Sequence, residues 1–334
     1  MLQQLWYGKS GWRWLLVPFA LLFAILSGAR RFAYRRGWFK AYRATVPVVV
    51  VGNISVGGNG KTPVVIWLVE QLQARGFRPG VVSRGYGGKV PHYPYRLDAV
   101  STTAQAGDEP VLIARRCGCP VVVAPKRADA VRLLEQSGEV DIIITDDGLQ
   151  HYGLSRDIEL VVVDGVRRFG NACLLPMGPL REPVTRLKRV DAIICNGGEP
   201  AKGEYAMRLV ADVPRRVQDD AQATEPLPSA VDALAGIGHP PRFFATLAEL
   251  GYELHQQVGY GDHHAFDRDE LVARFGQRPL LMTEKDAVKC RTFALDSWWY
   301  LPVSAELPTS LLDTLLQKLQ KLPSLTVPRS GSGL

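Results

Sequence analysis

The sequence predicts an α/β protein that combines a doubly wound parallel sheet, a second, smaller α/β lobe and an N-terminal membrane helix. Three observations support this prediction. From Pro47 onward, continuous apolar strands alternate with helix-length segments, as in parallel sheets that are buried on both faces. A polar stretch at 219–229 interrupts the alternation, which then restarts on a smaller scale. An uncharged apolar run lies close to the N-terminus.

The N-terminal run, residues 15–29, reads LLVPFALLFAILSGA and follows three tryptophans, which suit a membrane interface. It is short for a full crossing, which needs about 20 residues. Basic residues then cluster after it, which predicts an anchor with a basic flank over residues 1–43 and a cytoplasmic bulk of the chain. A secretory signal and a buried helix of a soluble core remain alternatives.

Composition limits the class of protein without choosing a partner. The chain has 334 residues, of which 46% are hydrophobic and 22% charged, so wholesale disorder is excluded. Its net charge of +7 favours anionic partners such as phosphates, nucleic acid or acidic membranes. Five cysteines, an odd number, give no disulfide framework and indicate a reducing compartment.

The alternation predicts two lobes, a core at 44–218 and a smaller lobe at 219–334. Strands are expected at the apolar runs PVVVVG (47–52), 120–124, 140–145, 159–164 and 191–196, and a helix at 62–76. The smaller lobe should contain a helix at 241–251, a strand at 279–283 and an amphipathic helix at 310–322. The final segment, VPRSGSGL, is expected to be a loose tail.

A glycine-rich phosphate loop, GNISVGGNGKTP at 52–63, joins the first buried strand to the first helix. Its glycines let backbone N–H groups face phosphate oxygens, and the lysine can reach the β- and γ-phosphates. Ser55 stands where glycine is usual, so the loop is a GGxGKT variant. We predict a P-loop nucleotide hydrolase-type core that binds ATP. The expected nucleotide-binding residues are Gly57, Gly58, Asn59, Gly60, Lys61 and Thr62.

A magnesium site is predicted beside the phosphate loop. The apolar strand at 140–145 delivers Asp146 and Asp147 at its carboxyl end. Magnesium prefers such oxygen ligands, and the Thr62 hydroxyl can complete them. A plain Asp-Asp-Gly turn without a metal is the alternative. Because the segment occurs together with a phosphate loop, we favour a Mg²⁺ site formed by Thr62, Asp146 and Asp147.

Eight segments together resemble the tetraacyldisaccharide 4'-kinase family, the lipid A 4'-kinases. They are GNISVGGNGKTP, SRGYGG at 83–88, AGDEP at 106–110, TDDGLQH at 145–151, FGNACLLPMGPLREP at 169–183, GIGHPPRFF at 236–244, GDHHAF at 261–266 and MTEKDAVK at 282–289. Short pieces are weak alone, but their number and order along most of the chain are specific.

The resemblance implies ATP-dependent phosphorylation of the 4'-hydroxyl of a tetraacyl glucosamine disaccharide 1-phosphate, giving lipid IVA. It also implies attachment to the cytoplasmic face of the inner membrane. Within the matched motifs, Asp108 corresponds to the proposed base and His263 to its dyad partner. Bringing these two together should require closure of the lobes. The expected partners are the disaccharide lipid and inner-membrane lipids, with no nucleic acid and a monomeric chain.

Four arginines in or beside the matched segments are candidates for phosphate contacts: Arg84, Arg167, Arg168 and Arg181. The main alternative function is a membrane-associated P-loop switch protein that acts through protein partners. Its guanine-reading signature is missing, because the lysine of TEKD at 283–286 stands one place late. Asp262-His263-His264 also resembles part of a metallophosphoesterase motif, without that motif's other acidic segments.

Overall fold

A computed structural model describes residues 2–8, 11–276 and 278–322 of the chain. The predicted tail at 327–334 lies outside these residues. The helices are α1 (Leu2–Tyr7), α2 (Val17–Arg35), α3 (Lys61–Gln73), α4 (Thr103–Ala106), α5 (Asp108–Cys117), α6 (Arg127–Ser137), α7 (Pro240–Glu249), α8 (Arg268–Phe275), α9 (Glu284–Cys290) and α10 (Thr309–Gln320). Two 3₁₀ helices span Gly11–Leu16 and Val184–Arg189.

The strands form two sheets. They are β1 (Val48–Gly52), β2 (Pro79–Ser83), β3 (Tyr95–Arg96), β4 (Val121–Val123), β5 (Ile142–Asp146), β6 (Ile158–Asp164), β7 (Ala192–Asn196), β8 (Tyr205–Ala211), β9 (Arg215–Arg216), β10 (Ala230–Ala235), β11 (Glu253–Gly259), β12 (Leu280–Thr283), β13 (Trp298–Leu301) and β14 (Val303–Glu306).

The larger sheet has the order β14-β8-β7-β6-β1-β5-β2-β4-β3 and is parallel from β8 to β4. Its central strand, β1, is fully buried because valines fill it on both faces. One face packs under α3, α5 and α10, and the other under α6 and the segments that follow β5 and β6. Strand order reverses around β1, which opens the crevice where ligands of such sheets bind.

The smaller sheet has the order β11-β10-β12-β13-β9 and has its own cores around Trp298 and Phe243. The chain does not end in this lobe. β14 pairs with β8 of the larger sheet, and α10 packs four buried leucines into the larger core. The predicted segment 219–334 therefore contains elements of both sheets, since its last strand and helix return to the first.

The N-terminal 3₁₀ helix and α2 form one apolar stretch, Gly11–Arg35, with a mean hydropathy of 1.6 in its most apolar window. No part of that window is buried inside the protein, so this is not the core helix of a soluble domain. By length and composition the stretch could cross a membrane, although an N-terminal signal would meet the same criteria. Its last turns contact the larger lobe, where Arg31 lies 3.2 Å from Glu182.

Candidate active site

The phosphate loop lies between β1 and α3, where the sequence predicted it. Gly60 immediately precedes α3 with φ 87°, a conformation that disfavours residues with a side chain. The Asn196 amide at the end of β7 donates to the Asn59 carbonyl at 3.0 Å, and Asn59 donates to the Ser55 hydroxyl at 2.8 Å. Ser55, the departure from the usual glycine, thus braces the loop from within.

Lys61 and the two aspartates meet at the end of β5. β5 pairs with β1 so that Asp146 lies opposite Val51, directly before the loop. The Lys61 ammonium is 3.5 Å from Asp147, which also accepts from Arg181 at 3.0 Å. Burial would raise the pKa of Asp147, but these two cations outweigh it and lower it to about 2.

The surroundings of Asp146 are suited to a bound cation. It is fully buried, and neither of its side-chain oxygens has a hydrogen-bond partner in the structure. Burial, together with the charges of Glu109 and Asp147, raises its pKa to about 7. An unpartnered buried carboxylate is costly unless something compensates it. The residues that would hold Mg²⁺ are therefore Asp146, Asp147 and Thr62, which follows Lys61 at the start of α3.

Asp108 and His263 are already in contact. Asp108 is the first residue of α5 in the larger lobe, and the His263 Nδ1 lies 2.9 and 3.0 Å from its two carboxylate oxygens. The pair that was expected to form on closure of the lobes is thus already formed in this structure, while the closure itself stays a prediction. His263 has φ 62°, and the Tyr86 ring packs against its imidazole.

Two lysines of the smaller lobe surround the dyad. Lys285 on α9 lies 3.7 Å from Asp108, 3.0 Å from Glu109 and 2.9 Å from Asp262. Lys289, one turn later, lies 3.9 Å from Asp108. The MTEKDAVK motif marked this segment, and lysines four residues apart share one helical face. The sequence alone gives these lysines no role, because the motif does not show which residues that helical face contacts.

These charges set how the dyad titrates. Burial would raise the pKa of Asp108, but the hydrogen bond from His263 and the charge of Lys285 hold it below its usual value. The same hydrogen bond raises the pKa of His263, against burial and the repulsion from Lys285. The pair therefore favours an ionised aspartate beside a readily protonated imidazole.

The four candidate arginines divide by position. Arg167 donates to the Gly58 carbonyl at 2.7 Å, and Arg181 to Asp147, so both reach the phosphate site. Arg84 is exposed and directly follows β2, so it lies at the carboxyl edge of the parallel strands, as the phosphate loop does after β1. Arg168 instead pairs with Glu204 at 2.7 Å and does not join the loop.

The two lobes meet directly at the phosphate loop. A Cβ added to Gly238, in the loop after β10, would lie 3.0 Å from the Gly58 nitrogen. Arg242 of α7 donates to the side-chain oxygen of Asn196 at 3.0 Å, and Asn196 in turn donates to the Asn59 carbonyl of the phosphate loop. The Cβ added to Gly238 would also lie 4.0 Å from a carboxylate oxygen of Asp262, the residue before His263. The dyad and the phosphate site therefore share one crevice.

A phosphate loop that shares a crevice with a hydrogen-bonded carboxylate and imidazole defines a P-loop phosphotransferase. The model of the family described as tetraacyldisaccharide-1-P 4'-kinase, LpxK, matches residues 12–320. The chain belongs to this family, and the resemblance stated from its motifs is confirmed.

Relatives of known name agree with this assignment. The chain is 96% identical to the tetraacyldisaccharide 4'-kinase of Aeromonas salmonicida, with 100% of both chains covered. It is 85% identical to that of Aeromonas hydrophila over 96% of each chain, and 60% identical to that of Tolumonas auensis over 100% of each.

A solved structure also matches most of the fold. It is the "apo" form of LpxK from Aquifex aeolicus in complex with ATP, with a TM-score of 0.76 and 26% sequence identity. The match covers 92% of this chain and 99% of that one. The predicted α/β fold and the prediction of an ATP-dependent kinase are confirmed.

Proposed function

We propose that this chain transfers the γ-phosphoryl group of ATP to the 4'-hydroxyl of a tetraacyl glucosamine disaccharide 1-phosphate, forming lipid IVA in lipid A biosynthesis. The kinase reaction follows from membership of the family. The observation that supports the site is the contact of His263 with Asp108, at 2.9 Å, in the crevice that holds the phosphate loop.

In the proposed reaction, Asp108 takes the proton of the acceptor hydroxyl as its oxygen attacks the γ-phosphorus. The bond to the β,γ-bridging oxygen breaks, and ADP leaves. His263 orients the carboxylate and can relay the proton onward when its imidazole is neutral. Gly57, Gly58, Asn59 and Gly60 present backbone groups to the triphosphate, and Lys61 provides a cation beside it.

Thr62, Asp146 and Asp147 would hold Mg²⁺, which neutralises phosphate charge and orients the γ-phosphoryl group. Arg167 and Arg181 stand at the loop and at Asp147, where guanidinium groups can bind phosphate oxygens in pairs. Since Arg181 and Lys61 both contact Asp147 in this structure, nucleotide binding would redistribute existing ion pairs. The positive charge needed for ATP is thus already assembled.

Replacing Asp108 tests the proposed base. We expect Asp108→Asn to lower the rate of transfer from labelled ATP to the disaccharide lipid by about 10²–10⁴-fold. The affinity for ATP should change little, because Asp108 contacts His263 and not the phosphate loop. Asp129→Asn, on the exposed surface of α6, is the control and should behave as wild type.

Three outcomes of this experiment would count against the proposal. Normal transfer by Asp108→Asn would show that another group takes the proton. Loss of ATP affinity would place Asp108 in the nucleotide site instead. Absence of transfer to the lipid by the wild-type protein, with ATP bound normally, would remove the function itself.

We also propose that α2 attaches the protein to the inner membrane as a monomer, with both lobes on the cytoplasmic side. The exposed apolar residues of α2 and the basic residues after them support this orientation. Introducing aspartate at Leu22 and Ile25, both exposed, should cost about 2.5–3.5 kcal/mol of insertion energy each. The double variant should leave the membrane fraction while still binding ATP. Retention with the membrane would argue against anchoring by α2.

A further inference from the structure

A basic groove lies beside the C-terminal end of α2, outside the kinase crevice. It is a cavity of about 700 Å³ between the end of α2, the start of β6 and the 3₁₀ helix Val184–Arg189. Six cationic side chains line it, namely Arg31, Arg35, Arg156, Arg186, Lys188 and Arg189. Glu159 is the single carboxylate among the lining residues.

Three of the cations are engaged and three are not. Arg186 and Arg156 contact Glu159 at 2.6 and 3.2 Å, and Arg31 pairs with Glu182. The other three have no hydrogen bond or ion pair to any residue that the structure describes: Arg35, Lys188 and Arg189. All three are exposed. The groove therefore presents a surplus of positive charge that no described residue pairs with.

The Arg189 end of the groove is distant from the phosphate loop along the sheet. The other end, at Pro183 and Arg31, lies beside Glu182, whose N–H donates to the Ile54 carbonyl at 3.3 Å. Arg156 and Arg189 come before β6 and β7, and so lie toward the amino-terminal edge of the parallel strands. The phosphate loop follows β1 and lies at the carboxyl edge. The seven residues of β6 separate the two edges by roughly 20 Å, at about 3.3 Å per residue. An anion held by Arg189 would thus not be the reacting phosphate.

An apolar stripe leads directly into the groove. Gly28 and Phe32 of α2 line the cavity. Ile25 and Leu21 precede Gly28 by three and seven residues, which places them on the same helical face. Both are about 60% or more exposed, at 66% and 59%. A ligand in the groove could therefore lay hydrocarbon chains along α2, which a free phosphate ion could not use.

We propose that this groove binds the phosphate of an anionic glycerophospholipid whose acyl chains lie along the exposed face of α2. The inference rests on the proposed membrane attachment. Phosphate would bind Arg35, Lys188 and Arg189, while the engaged arginines hold the walls of the groove in place. Such a lipid would fix the height and the rotation of the larger lobe relative to the bilayer.

The test uses the full chain in neutral detergent micelles and counts bound lipid by native mass spectrometry. The probes are phosphatidylglycerol, phosphatidylcholine and inorganic phosphate. The variant is Arg35→Gln, Lys188→Gln and Arg189→Gln together, and none of these changes removes a side-chain hydrogen bond or ion pair to a described residue. The control removes three exposed cations elsewhere: Lys202→Gln, Arg208→Gln and Lys321→Gln.

We expect the wild type and the control to bind phosphatidylglycerol in preference to phosphatidylcholine. The groove variant should bind phosphatidylglycerol roughly tenfold more weakly or worse, since each basic residue adds to the attraction of an anionic headgroup. The binding should also weaken with added salt. ATP binding and kinase turnover in detergent should be retained in the variant.

Several results would overturn the proposal. Equal affinity for the two phospholipids would do so, and so would unchanged phosphatidylglycerol binding by the groove variant. Full competition by inorganic phosphate would show that the groove is a site for free anions. Displacement of phosphatidylglycerol by the disaccharide 1-phosphate acceptor would assign the groove to the acceptor. Failure of the wild type to associate with phosphatidylcholine vesicles would instead count against membrane attachment. Absence of phosphoryl transfer by the wild type would count against the kinase function.

Discussion

Lys285 places one positive charge among three carboxylates that come from both lobes. Asp108 and Glu109 belong to α5 of the larger lobe, and Asp262 precedes His263 in the smaller lobe. Its side chain is only 15% exposed, so the charge is weakly screened by solvent. The lysine lowers the pKa of Asp108 and of His263 alike. It therefore keeps the carboxylate ionised and opposes permanent protonation of the imidazole.

Neutralising this lysine should move the pH dependence of the reaction. In Lys285→Gln the repulsion that lowers the pKa of His263 is gone, so that pKa should rise further above its ordinary 6.5. If neutral His263 is needed for proton relay, the acid limb of kcat/KM must shift to higher pH. Lys285→Arg, which keeps the charge, should restore the wild-type limb. The profile of kcat/KM against pH measures this directly.

A purely structural role would give another result. The Lys285→Gln variant would then lose activity evenly at all pH values, with both limbs unmoved. Lys202→Gln, at an exposed position outside the crevice, is the matched control and should leave rate and profile unchanged.

At the scale of single elements, α3 is flanked by two glycines with similar φ angles, one directly before it and one three residues after it. Gly60 precedes the helix with φ 87°, and Gly76 follows it with φ 81°. Their surroundings differ. A Cβ on Gly60 would lie 2.3 Å from the Asn196 side-chain nitrogen, whereas one on Gly76 would meet nothing within 4 Å. A side chain at Gly76 would thus cause backbone strain alone, whereas one at Gly60 would cause the same strain and also a clash with Asn196 beside the phosphate loop.

Replacing each glycine by alanine should distinguish the two effects. Both variants carry backbone strain of about 1–2 kcal/mol. Gly60→Ala should also displace Asn196 and the loop, so that ATP affinity falls by at least about tenfold. Gly76→Ala should lose stability and keep its ATP affinity, which isothermal titration can measure. Equal ATP affinities in the two variants would show that the close approach of Asn196 does not shape the loop.

The sequence predicted the buried central strands well and the strands at one end of the larger sheet poorly. β1 and β5 are continuous apolar runs because both faces of a central parallel strand are covered. β8 and β14, at one end of the larger sheet, were not predicted, since the residues of β8 alternate between exposed and partly buried positions and form no continuous apolar run. The return of α10 to the larger core also could not be read from its own leucines, because amphipathicity does not name the surface that a helix covers.

The candidate site shows the same division. The phosphate loop and its aspartates were predictable, because the spacing of glycines and lysine after a strand carries the chemistry. The roles of Asp108 and His263 came from the family resemblance alone, since 155 positions separate them in sequence. Lys285 and Asn196 were missed. Their importance lies in contacts between the lobes or across strands, which no local pattern contains.

At the scale of the whole molecule, Arg116 ties the two lobes together. From α5 it reaches Glu284 of α9 at 2.7 Å, and it donates to the Ser304 hydroxyl of β14 at 2.6 Å. Arg116 and Glu284 are only 17% and 13% exposed. Burial raises the pKa of Glu284 even though Arg116 acts to lower it. Loss of the arginine would leave a carboxylate enclosed between the lobes without its counter-ion.

Arg116→Gln should therefore destabilise the protein by about 3 kcal/mol near neutral pH. Because the pKa of Glu284 is raised in the folded protein, ionisation of Glu284 lowers the free energy of unfolding as pH rises. The variant removes a cation that lowers this pKa, so the pKa rises further and the loss of stability at neutral pH grows. The loss should shrink as pH falls and Glu284 becomes protonated. Denaturant unfolding at about pH 7 and about pH 5 measures the difference.

The double variant Arg116→Gln, Glu284→Gln separates the ion pair from other contacts of the arginine. It should recover much of the stability at neutral pH, because no buried charge remains unpaired. Arg132→Gln breaks an exposed pair with Asp129 and should cost at most about 0.5 kcal/mol at either pH. If Arg116→Gln were as mild as this control, or equally damaging at both pH values, the two lobes would be held together by apolar contact and not by this buried charge.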